Sequence, residues 1–182
     1  MESCGRPLLY VMVVTITVAA VPPQTVPGRR PAGVALLRAA SRGETGRVTK
    51  ILRRPGVDVN YAEKTGWYRG YTALMWAAAS NSSQMVATLL SNGADVNSKS
   101  YADVTAVFLA AKEGFLTVVK QLLRNGARPD VPTIQGFTSL LYATWNGHLQ
   151  VVEELLAYKA DPNFQTPSSS ESCYCTLSFH LP

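Results

Sequence analysis

A 33-residue period dominates this chain. Gly70-Tyr-Thr-Ala-Leu74 returns as Asp103-Val-Thr-Ala-Val107 and again as Gly136-Phe-Thr-Ser-Leu140, each copy starting 33 residues after the last. The echo holds register inside each unit: Ala77-Ala78, Ala110-Ala111 and Ala143-Thr144, then Leu89-Leu90, Leu122-Leu123 and Leu155-Leu156. A looser copy precedes them, in Leu36-Leu37-Arg38-Ala39-Ala40, Gly43, Val48, Ile51-Leu52 and Gly56-Val57-Asp58-Val59-Asn60. A fixed period of this length signals a solenoid, because each unit buries its apolar face only against its neighbours.

The residue types explain the unit. Thr72, Thr105 and Thr138 stand where a first helix begins, and a hydroxyl there accepts from a free backbone N–H. The Ala pairs are small enough for neighbouring helices to approach closely. Leu, Val and Ile at three- and four-residue spacing form the apolar stripe of a second helix. Asn92-Gly93 and Asn125-Gly126 end that helix, since Gly enters the left-handed conformation without penalty. The following Ala-Asp-Val-Asn stretch is extended and leads into the next turn.

Read as a whole, the pattern resembles the ankyrin repeat. Gly70-Tyr71-Thr72-Ala73-Leu74-Met75-Trp76-Ala77-Ala78, then Val86 and Leu89-Leu90, then Gly93-Ala94-Asp95-Val96-Asn97 follow that family's wording, and Gly126-Ala127-Arg128-Pro129-Asp130 and Ala160-Asp161-Pro162-Asn163 close two later units. The resemblance implies an all-α solenoid of stacked helix-turn-helix units joined by β-hairpin-like loops. Its repeats would cover residues 33–60, 70–97, 103–130 and 136–163, with an enlarged loop at 61–69. The chain departs from the family where Ala73, Ala106 or Ser139 replaces the usual Pro, and where Met75, Phe108 or Leu141 replaces the usual His. Lys159 stands where a helix-ending Gly is expected, and Asp103 where a turn Gly is expected.

Charge is lopsided. Nine of the 17 basic residues lie at or before Arg54, against Glu2 and Glu44 alone among the 12 acidic ones. That cluster would suit nucleic acid or an acidic surface; the plainer reading is a solvated outer face on the first repeat. Three cysteines, none in the repeats, are too few for a disulfide framework and point to a reducing compartment. The uncharged run Leu8–Val21 is too short to span a bilayer but has the length of a signal-peptide core. Without a working signal the expected compartment is cytoplasm or nucleus; with one it is the secretory pathway. Residues 1–32 read as this segment plus a proline-rich linker, and residues 164–182 as a disordered, partly apolar tail with no period. The array resembles a longer one cut short, such as an isoform.

No catalytic constellation emerges. Gly147-His148 occupies a helix-turn position of the repeat, so its His reads as structural, and Glu153-Glu154 reads as a solvated helix face. No phosphate-binding glycine loop, metal-ligand spacing or paired nucleophile and base is present, so neither an enzyme nor a cofactor is expected. What the resemblance implies is a protein partner docked on the concave side, at loop tips and first-helix ends. In this chain those positions are Trp67, Tyr68, Arg69 and Tyr71, then Tyr101 and Val104, then Ile134, Gln135 and Phe137, with Ala79-Ser80, Lys112-Glu113 and Trp145-Asn146 on the helices. Aromatic and Arg side chains dominate interface energy. Against this, Trp67 and Tyr68 could fold down as core of the long loop. Trp76 and Tyr142, each one residue before an Ala, are expected in the core. The chain is expected to be a monomer without a stable membrane span; nucleic acid is the rival partner, and a truncated isoform with no partner of its own is the other alternative.

Overall fold

A computed structural model describes residues 32–163. Eight helices follow in pairs: α1 Ala32–Ser41 with α2 Thr45–Leu52, α3 Ala73–Ala79 with α4 Ser83–Ser91, α5 Ala106–Lys112 with α6 Leu116–Arg124, and α7 Ser139–Trp145 with α8 Leu149–Ala157. The first helices stack in the order α1, α3, α5, α7, and the second helices stack behind them as α2, α4, α6, α8. The leader-like run at 8–21, the prolines of the linker and the tail at 164–182 lie outside the described residues.

The period is translated into packing register by register. Val48, Val86, Val119 and Val152 are all buried, as are Ile51, Leu89, Leu122 and Leu155 one turn later. Ala39-Ala40, Ala77-Ala78 and Ala110-Ala111 lie buried between first helices and let them stack closely. Burying one such Leu stabilises the array by roughly 1.5–3 kcal/mol.

Helix starts follow the threonines. The hydroxyls of Thr72, Thr105 and Thr138 accept from the backbone N–H of Met75, Phe108 and Leu141 at 3.3–3.4 Å. Second helices stop at Gly93 and Gly126, with φ of 82° and 85°. Lys159 takes the same turn with φ 63°, and Asp103 replaces the turn glycine with φ 55°, as their positions in the period require.

Successive units are tied by a polar ladder outside the core. The Asn60 amide donates to Gly93 O and accepts from Asp95 N, and the Asn97 amide donates to Gly126 O and accepts from Arg128 N. At the last junction Asp130 accepts from Asp161 N at 2.9 Å. His148 also ties units together: its Nε2 lies 3.1 Å from Lys112 O, and its ring packs where a Cβ on Gly114 would fall.

The array has a polar first end. Met85, Val118 and Val151 are buried at one shared register, whereas the first unit places Arg47 there, exposed and 2.7 Å from Glu44. Val151 is buried in the last described unit, so this register is covered from the preceding side.

Candidate protein-binding face

The loops before α5 and α7 are short turns, the one before α3 is longer, and all three are closed by backbone bonds. Glu63 N donates to Tyr71 O, Ser100 N to Val104 O and Thr133 N to Phe137 O, all at 2.9 Å. The first of these carries an isolated antiparallel bridge, Ala62 with Thr72, which is as far as the hairpins go towards β-structure. Neighbouring loops are also bonded to each other: Tyr101 N donates to Arg69 O at 3.2 Å and Ile134 N to Ala102 O at 3.1 Å. Gly70 makes the first contact possible, because a Cβ there would sit 2.6 Å from Tyr101 N, and its φ is 85°. The loop tips therefore stand side by side in a row.

On that row the rings fall into groups. Tyr68, Tyr71 and Trp76 pack together, with centroids 4.6–5.4 Å apart. The Arg69 guanidinium lies over the Tyr101 ring, 4.1 Å from its centroid, and bridges two loops by a cation–π contact. Tyr142 meets Phe108 and Phe137 edge-on at 5.2 and 5.3 Å and stacks with Trp145 at 6.2 Å. A groove of about 150 Å³ lies between the loops before α5 and α7, lined by Phe108, Lys112, Phe137 and Tyr142 among others. Burial, and secondarily the neighbouring Tyr68 phenol, hold Tyr71 above the ordinary tyrosine pKa.

The expected site residues separate into two kinds. Trp67 is 100% exposed and Trp145 73%, with Tyr68, Arg69, Tyr101 and Ile134 also exposed. Trp67 therefore does not fold down into its loop; Tyr68 leans on Trp76 while keeping half its surface open. Tyr71 and Phe137 are half-buried and support the outer rings. Lys112 and Glu113 are exposed and 3.6 Å apart, and the Asn146 amide is already engaged, donating to Lys112 O at 2.7 Å.

The expectation of core positions for Trp76 and Tyr142 holds only in part: Trp76 packs against the core from its edge. Both are only half-buried, and both belong to the ring clusters of the loop row. An Ala-lined helix contact has no room for rings of that size, so they turn outward beneath the loops. The signal was present in the period: Trp76, Leu109 and Tyr142 share one register, three residues before Ala79, Lys112 and Trp145. On a helix, residues three apart are neighbours.

Among the described residues, no group of three or more His, Cys, Asp or Glu side chains is placed to hold a metal ion. No described helix is long and apolar enough to cross a membrane. No curated protein matches the chain. The family profile described as ankyrin repeats (3 copies) matches residues 30–100 and 99–166. Ankyrin repeats are in general protein–protein interaction modules and typically not enzymes. With that match spanning most of the sequence, and helix pairs stacked at its period, the chain belongs to the ankyrin-repeat family.

Proposed function

We propose that this chain is a non-catalytic module that holds a protein partner on its loop row and the adjoining faces of the first helices. The observation that supports this is where large apolar side chains stay uncovered. Of the seven such residues among those described, Trp67, Tyr68, Tyr101, Ile134 and Trp145 lie on the loops or the end of α7; only Leu149 and Tyr158 lie on or after α8. A soluble fold gains nothing by leaving rings exposed in one row, and exposed aromatics of this kind anchor interfaces. The partner's side chains would meet a row already ordered by the loop-to-loop bonds, which lowers the entropic cost of docking.

The test compares two double variants with the unaltered chain. Trp67→Ala with Trp145→Ala removes exposed rings that carry no core packing, so folding should be untouched. Loss of two anchors should weaken binding to captured partners at least about tenfold. Arg47→Glu with Arg53→Glu should change binding little, since exposed charges contribute under about 1 kcal/mol. If instead the arginine reversals abolish capture, the tryptophan pair is silent, and binding falls steeply with salt, the basic first unit is the binding site and this reading is wrong.

A further inference from the structure

The last unit repeats the third one but lacks its cover. Phe108 is 6% exposed, while Leu141, 33 residues on, is partly exposed; Ala111 is fully buried, while Thr144 is not. In the second helices Leu116 is partly buried where Leu149 is 62% exposed. Leu116 and Leu149 are the same residue at the same register, so the difference lies in what covers them among the described residues rather than in the side chain. Leu141, Thr144 and Leu149 thus mark an end on α7 and α8 that the other described residues leave partly uncovered, in contrast to Arg47 and Glu44 at the other end.

We propose that this end face is a docking surface for the chain's own segment Cys173–Pro182. Asn163 is the last described residue, six residues past the end of α8. Fourteen residues separate Asn163 from Leu177, enough to reach about 45 Å when extended. The nine residues of α8 rise only about 14 Å, so the whole face lies within range. The segment has no repeat period, but Leu177, Phe179 and Leu181 alternate with Ser178 and His180. In an extended chain that spacing puts the three apolar side chains on one side. The Ser-rich stretch 167–172 serves as the tether. Tethering also favours this occupant over a second copy, because a short linker holds its cargo at an effective concentration near the millimolar range.

The experiment uses the full chain and three readouts. Hydrogen exchange in α7 and α8 is compared with that of Leu177→Ser/Phe179→Ser; docking predicts exchange roughly tenfold faster in the variant, confined to those helices. Mild oxidation of Leu149→Cys should give an intramolecular disulfide to Cys173 or Cys175, since such a bond forms only when the Cα atoms come within about 7 Å. Sedimentation should report a monomer for the unaltered chain and self-association for the serine variant, whose end face is freed. Unchanged exchange in the serine variant overturns the proposal, as does absence of the intramolecular disulfide. A disulfide-linked dimer, or a dimer of the unaltered chain, assigns the face to a second copy and equally overturns it.

Discussion

Asp130 breaks the polar ladder at one rung, and restoring it should stabilise the last unit. At the two earlier junctions an Asn side chain both donates to a helix-ending carbonyl and accepts from the N–H two residues further on, at 2.8–3.4 Å. Asp130 performs only the second task, accepting from Asp161 N. A carboxylate has no N–H, so the carbonyl of Lys159, 33 residues after that of Gly126, is left without this donor. Asp130→Asn should add one exposed hydrogen bond, about 0.5 kcal/mol at the low end of the usual net value. Lys159 itself sits at φ 63°, a conformation that costs a side-chain-bearing residue about 1–2 kcal/mol. Replacing it with Gly removes that strain, at the expense of about 0.5–1 kcal/mol of extra unfolded-state freedom. The pair Asp130→Asn with Lys159→Gly should therefore gain about 1 kcal/mol, or about 4 °C in Tm for an array of this size. Thermal unfolding by circular dichroism measures the total. Hydrogen exchange shows whether the gain is confined to α7 and α8, as nearest-neighbour energetics demand. Both single variants belong in the set, because adjacent changes couple. If Asp130→Asn alone lowers the midpoint, the ladder adds nothing at this junction. If Lys159→Gly is neutral or unfavourable, the strain argument fails.

Ser139 is fully buried with an unpartnered hydroxyl, at the register held by Ala73 and Ala106, so Ser139→Ala should raise stability by about 1 kcal/mol, read from the urea midpoint at constant m. Gly70→Ala should lose about 1–3 kcal/mol, because the new Cβ meets the backbone at Tyr101 and Ser100 and φ is positive; calorimetry measures the drop. Tyr71 has its pKa raised, so the folded chain retains a proton that the unfolded chain releases. Its contribution is fully present below the ordinary value of 10.0 and is lost as pH rises beyond it; Tyr71→Phe should flatten that alkaline fall in unfolding free energy.

Much of the scaffold was legible because its causes are local. A Thr at a helix start, a Gly at a helix end and apolar residues three and four apart each act within one unit, so reading one copy reads them all. Even the exceptions could be read, since a 33-residue register obliges Lys159 and Asp103 to take a left-handed turn. The ladder through Asn60, Asn97 and Asp130 escaped because each bond joins residues about thirty apart, and nothing local to an exposed Asn marks it as a tie. Trp76 and Tyr142 were only partly legible, for the opposite reason. Their neighbours in sequence are buried alanines, but ring size and the overlying loop decide where they point. For the loop residues the period gave positions, while the difference between the uncovered Trp67 and the supporting Tyr71 depends on contacts between units.

The Arg47 register sets a direction on how such an array can grow by gene duplication. A copied unit inserted ahead of α1 would cover the position where Arg47 now meets water and Glu44. Burying a guanidinium with incomplete pairing costs several kcal/mol, so that product would be unstable until the arginine mutated to something like Met85 or Val118. A copy placed between existing units meets apolar surfaces on both sides and needs no such repair. Internal expansion is therefore the accessible route to a longer descendant, and the unit bearing Arg47 should persist as its first member while interior units multiply.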